Sequence, residues 1–215
     1  MTVLGELHKP DMFNIATTED LSEYYVSYTH ESGETFCKEH EDLLLQECAL
    51  PDIMAEYIEN KVEIGSSIAE IDIGSGSLAR AAYGDDGTSP WDGYDFCQTA
   101  CDYSNSLYNS TTQHNINVAP LPKKYDVILA CNVFDYGRLD ATCLDNIRES
   151  LNDDGVIIAS FPRGSNYWVR SGWYYDTYFE LQGSWEMVET GKYFIVGGRR
   201  KGHHDIKLLR LININ

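Results

Sequence analysis

Residues 68–78, Ile-Ala-Glu-Ile-Asp-Ile-Gly-Ser-Gly-Ser-Leu, leave this chain few folds to choose from. An apolar run reaches an Asp, breaks at Gly74 and Gly76, and resumes at Leu78. That order reads as a buried strand, a tight glycine turn and the first turn of a helix. Without a Cβ, the backbone at Gly74 and Gly76 can be approached closely by a ligand. Helix N–H groups left free at that end would face the same ligand. A plain connection, with glycines serving the turn alone, is the competing reading. An acid further along the chain weighs between them.

Downstream, strands and helices alternate. Residues 91–96 read as a second strand ending in Asp95, followed by a helix over about 98–108 that sets Cys97 and Cys101 one turn apart. Two thiols are too few for a metal, so packing is the expectation there, and no metal site is expected elsewhere. Residues 114–118 form a weak third strand, and 125–132 a strong fourth whose continuous apolar character implies burial on both faces. Cys143, Leu144, Ile147 and Leu151 mark a helix that Asp154-Gly155 terminates. Residues 156–161 make the fifth strand. The alternation predicts a doubly wound α/β fold with a parallel sheet. Past an aromatic tract from Tyr167 to Phe179, strand-like segments near 185–196 and 205–212 flank a turn that holds Gly197, Gly198 and Gly202. They predict an antiparallel C-terminal hairpin, giving a seven-stranded mixed, Rossmann-like sheet.

Ahead of the first strand, residues 1 to about 18 show no periodicity and read as an arm. Helical patterns follow at 18–25, at Phe36, His40, Leu43 and Leu44, and after Pro51, with Asp52 placed to cap the third helix and Met54, Tyr57 and Ile58 on its apolar stripe. The division expected is an arm and helical lid over 1–62 and a Rossmann-like domain over 63–215. The formal net charge of −18, from 34 acids against 16 Lys and Arg, argues against a nucleic-acid partner. No run approaches bilayer-spanning length, and the N-terminus carries no charged-then-apolar leader. Six cysteines without a C-x-x-C pair point to reduced thiols, so a cytoplasmic protein with no membrane partner is expected.

Asp95 stands nineteen residues after Gly76, at the close of the next strand. In doubly wound folds an acid at that place holds the ribose hydroxyls of a bound nucleoside. A dinucleotide and S-adenosylmethionine (SAM) both satisfy the pattern, and residues 74–79 also match G-x-G-x-x-A, so an NAD(P)-dependent oxidoreductase competes. Asp72 weighs against it. A carboxylate two residues before the first Gly is unfavourable beside a pyrophosphate and favourable beside a sulfonium and an ammonium.

Residues 70–77, with 93–97, 121–130 and 151–160, resemble successive motifs of the class I SAM-dependent methyltransferases, over about 66 to 162 in the family's order. The leading helices resemble the lid of its small-molecule members. The resemblance implies SAM as cofactor and a small-molecule acceptor. It places Gly74, Ser75 and Gly76 beside the methionine part, Asp72 at its ammonium and Asp95 at both ribose hydroxyls. It further places Phe96 against the adenine, Asn117 at the adenine amino group through its carbonyl oxygen, and Cys131 near the methionine end through its backbone. Leu78 stands where the family often has a third Gly, which puts cofactor affinity in question. A base is needed only if the acceptor must lose a proton, and His30, Asp135 and Tyr136 are the weak candidates. A non-catalytic SAM-binding fold used for partner interaction is the alternative from another class.

Overall fold

The computed structural model describes residues 50–131, 133–134, 142–162, 185–195 and 202–211. The arm, the first two helices, the tract from Tyr167 to Phe179 and the turn between the last two strands, apart from Gly202, lie outside the described residues. In chain order the elements are α1 (Leu50–Lys61), β1 (Ile68–Ile71), α2 (Ser77–Tyr83), β2 (Asp92–Asp95), α3 (Gln98–Ser104) and a 3-10 turn (Asn105–Leu107). There follow β3 (Ser110–Gln113), β4 (Tyr125–Ala130), α4 (Thr142–Glu149), β5 (Leu151–Pro162), β6 (Trp185–Ile195) and β7 (Gly202–Leu211).

The sheet runs β3-β2-β1-β4-β5-β7-β6. Its first five strands are mutually parallel, and β7 pairs antiparallel with both β5 and β6. Strand order reverses between β1 and β4, and ligands of open α/β sheets bind beyond the C-terminal ends of the strands at such a reversal. Each face of the central strands is covered. Ala69, Ile71, Ile128, Ala130, Ile157 and Ala159 meet Cys143, Leu144 and Ile147 of α4 on one side. Val127, Leu129 and Ile158 meet Leu50 and Met54 of α1 and Leu78 of α2 on the other. Burial on both sides is why β4 reads as an unbroken apolar run. The helix α1, grouped with the lid in the sequence, therefore contributes Leu50 and Met54 to the core, both fully buried.

Four sequence expectations need correction. The third strand is Ser110–Gln113 rather than 114–118. It is polar because it is the sheet edge and mostly exposed, whereas the more apolar segment after it turns away, burying Ile116 and exposing Val118. The helix expected to end at Tyr108 is α-helical only to Ser104 before tightening into the 3-10 turn. Asp52 lies in the first turn of α1, not at its cap. The helix with Cys143 stops at Glu149, where the Ser150 hydroxyl donates to the Asn146 carbonyl and accepts from the Leu121 amide. Leu151 already belongs to β5, and Asp154-Gly155 lies within that strand. There the register jumps from Tyr125↔Leu151 to Val127↔Val156, and Asp154 takes φ 64.

Candidate functional site

β1 ends at Ile71, and Asp72 turns the chain out of the strand through a left-handed backbone, φ 56. Asp tolerates this region better than most residues, but it still costs of order 1 kcal/mol, and such outliers gather at sites. Gly74 (φ 52) and Gly76 (φ 76) complete the bend, closed by the Gly76 amide donating to the Ile73 carbonyl at 2.8 Å. The two glycines serve different ends. A Cβ on Gly76 would lie 2.5 Å from Leu107 Cδ1, so this glycine exists to let the bend pack on the 3-10 turn. A Cβ on Gly74 would meet nothing within 4 Å among the described residues. The open side of the bend among them is thus at Gly74, and the expected close approach at Gly76 is taken by the protein's own Leu107.

Asp95 closes β2 and is 3% exposed. Its carboxylate accepts from the Gly74 amide (2.9 Å) through Oδ2 and from the Cys97 amide (2.8 Å) through Oδ1. One side chain so ties the glycine bend to the start of α3. The Ser104 hydroxyl fixes the bend from the other side by donating to the Gly74 carbonyl at 2.8 Å. Ser75 is buried, and its Oγ has no hydrogen-bond partner among the described residues. Leu78 is fully buried in the core with Leu50 and Leu129. The side chain replacing the family's third Gly thus points away from the open face.

The remaining expected residues border the same edge of the sheet. Phe96 follows Asp95, is partly exposed, and its carbonyl accepts from Gln113 Nε2. The loop carrying Asn117 starts where the His114 amide donates to the Asp95 carbonyl at 2.7 Å, and the Asn117 amide donates to Asn115 Oδ1. Cys131 lies just past β4, partly buried against the core face that holds Leu78. His30, Asp135 and Tyr136 lie outside the described residues. Cys101 is buried, its Sγ facing the Asp95 carbonyl at 3.7 Å, and burial pushes its thiol up to about 12. Among the described residues no group of three or more His, Cys, Asp or Glu could hold a metal ion. No helix among them is long and apolar enough to cross a membrane.

Glu70 is the residue the sequence reading passed over. It is the third residue of β1, 3% exposed, and accepts from the Tyr108 hydroxyl at 2.8 Å. Burial drives its carboxyl up to about 8; the Tyr108 bond opposes this, and the charges of Asp72 and Asp95 add to it. A signal was present: an acid inside an apolar, doubly covered strand cannot be left without a partner.

No family model matches the chain, and no curated protein matches it. Solved structures do. The N-methyltransferase NodS from Bradyrhizobium japonicum in complex with S-adenosyl-L-homocysteine (SAH) aligns with TM-score 0.56 at 15% identity, covering 88% of this chain and 97% of that one. A TehB-like SAM-dependent methyltransferase from Corynebacterium glutamicum aligns with TM-score 0.54 at 17% identity, covering 74% and 87%. The magnesium protoporphyrin IX methyltransferase ChlM from Synechocystis with bound SAH aligns with TM-score 0.53 at 13% identity, covering 75% and 81%.

Proposed function

We propose that this chain, which has the fold of the class I SAM-dependent methyltransferases, transfers a methyl group from SAM to a small-molecule acceptor. The observation that carries the reading is the Asp95 carboxylate hydrogen-bonded to the Gly74 amide, which puts the second-strand acid and the open glycine into one place. That SAH is bound in the NodS and ChlM structures supports the cofactor. The fit rests on this chain: no described atom stands where a Gly74 side chain would be, the Asp95 carboxylate is held against the same bend, and acids rather than bases line it, as suits a cation.

When bound, SAM supplies an electrophilic methyl and a neutral thioether leaving group. The residues' part is positioning, which can provide most of the acceleration of an in-line displacement. Asp95 takes the ribose hydroxyls while its amide bonds fix its orientation. Asp72 faces the ammonium, directly or through water. The backbone at Gly74 and Ser75 borders the methionine part, and Gly76 shapes the bend that presents it. Phe96 lies along the adenine, Asn117 meets the adenine amino group, and the Cys131 backbone borders the methionine end. The role of lid falls to residues 1–62, of which α1 packs on the core. His30, Asp135 and Tyr136 are the candidates should the acceptor have to lose a proton.

The small-molecule reading draws on the net charge of −18, adverse to phosphate-rich partners, and on the neighbour named for its acceptor magnesium protoporphyrin IX. Calorimetric titration with SAM and SAH tests the cofactor. Saturable binding of both, followed by transfer of label from methyl-tritiated SAM into a metabolite pool, is expected. Silence at millimolar ligand would remove the enzyme reading and leave a fold used for partner interaction.

A further inference from the structure

Glu70 takes no part in the chemistry above, yet its surroundings are built around it. It lies in register with Gly93 of β2 and Leu129 of β4, in the middle of the parallel sheet. Gly93 has no side chain there, and a Cβ would come within 3.1 Å of the Tyr108 ring. The phenol fills that place, and its hydroxyl bonds the Glu70 carboxylate. The groups facing Glu70 can be named element by element. Asp72, beyond β1, and Asp95, ending β2, are both acids, and Tyr108 follows the 3-10 turn. Cys131, past β4, faces the phenol of Tyr108. Onto the same sheet face α1 packs Leu50, Met54 and Tyr57, and α2 packs Leu78 and carries the partly buried Arg80. Glu70 therefore sits behind the bend in a field set by Asp72 and Asp95, the two carboxylates that the functional reading assigns to the cofactor.

We propose that Glu70 couples the charge of the bound cofactor to a proton, favouring the sulfonium form over its thioether product as it ionises. The inference rests on the SAM reading of the site. With the bend empty, two nearby acids and full burial hold Glu70 protonated in neutral solution. A cation placed against Asp72 and Asp95 offsets their field, so the Glu70 proton leaves to solvent and the carboxylate stays bonded to Tyr108. The anion then attracts the cation in turn. SAH keeps the ammonium but has no sulfonium, so it releases less of this proton. Glu70 touches neither ligand; it acts through the field at the bend, as a positioning residue for charge.

The test is calorimetric titration of the full chain with SAM and with SAH from pH 6.5 to 8.5, in two buffers of different ionisation enthalpy, for wild type and Glu70→Gln. Comparing the proteins cancels the ligand's own titration. If binding lowers the Glu70 pKa by one unit from about 8, SAM affinity rises about six-fold more in wild type than in the variant over this range. Wild type also releases more protons with SAM than with SAH, and the variant shows no such excess. Should Glu70→Gln fail to fold, Tyr108→Phe serves: losing a donor that favours the anion, it moves the affinity rise to higher pH. Saturable binding with parallel pH profiles in wild type and variants would overturn the proposal and leave the SAM reading standing. No binding by any of them at any pH would overturn both.

Discussion

Two buried carboxyls on neighbouring strands have opposite fates. Asp92, at the start of β2, is 5% exposed, and Glu70, within β1, is 3% exposed. Burial alone would push both upward. Asp92 nevertheless falls to about 2, because Lys123 approaches at 2.6 Å and Ser110, Asn109 and Tyr125 donate as well. Glu70 has the Tyr108 hydroxyl and acid neighbours, and rises to about 8. The number and sign of the partners, not depth, decide which carboxyl stays ionised. At the end of the sheet where the strands start, Asp92 has a cation and neutral donors around it. At the end where they finish, acids gather at the bend, a costly arrangement for stability and a useful one for holding a cation.

The strongest challenge to that contrast is Asp95→Ala. It removes the acceptor of two backbone amides, so a loss of about 3 to 6 kcal/mol in denaturant unfolding is expected, together with loss of SAM binding by calorimetry. Glu70→Gln comes next. The folded-state pKa of Glu70 is raised, so its contribution to stability is complete below about 4.5 and drains away as pH climbs through about 8. Wild type should therefore lose up to about 1.4 kcal/mol per pH unit against the variant inside that window, read by chemical denaturation at several pH values. Asp92→Asn should show the reverse sign. The lowered pKa of Asp92 adds stability above about 3.8 that disappears as pH falls through about 2, so the variant starts about 2 kcal/mol weaker at neutral pH and converges with wild type in acid. The smallest effects separate the two glycines. Gly76→Ala forces a Cβ into Leu107 and should cost about 2 kcal/mol in unfolding. Gly74→Ala meets none of the described residues, so stability should drop by only about 1 kcal/mol for its backbone angle while SAM binding weakens more than in Gly76→Ala.

What could be read from the sequence was local and chemically forced. The apolar run to Asp72, the glycine bend and the acid at Asp95 each depend on near neighbours in the chain, so their order alone exposes them. The third strand did not, because an edge strand needs no apolar alternation; Ser110–Gln113 is held by pairing with β2, a contact no local pattern announces. The start of β5 was hidden for a similar reason. Residues 152–155 stand opposite Asp126 alone, and Asn152 Nδ2 reaches the Asp126 carboxylate at 2.8 Å, so an Asp-Gly pair that resembles a helix stop is an irregularity inside a strand. The different duties of Gly74 and Gly76 were equally out of reach. They depend on where Leu107, thirty-one residues further on, comes to rest.

The two amides held by Asp95 carry a consequence for how a ligand would be received. Residues 74 and 97 are fastened by a single side chain, and the bend between β1 and α2 is thereby ordered when the chain folds. The conformational entropy of that loop is then already lost before any encounter, and binding need not repeat the loss. A receptor surface finished in advance works by docking rather than by moulding, so the speed of capture should follow diffusion, with little contribution from rearrangement of the bend itself.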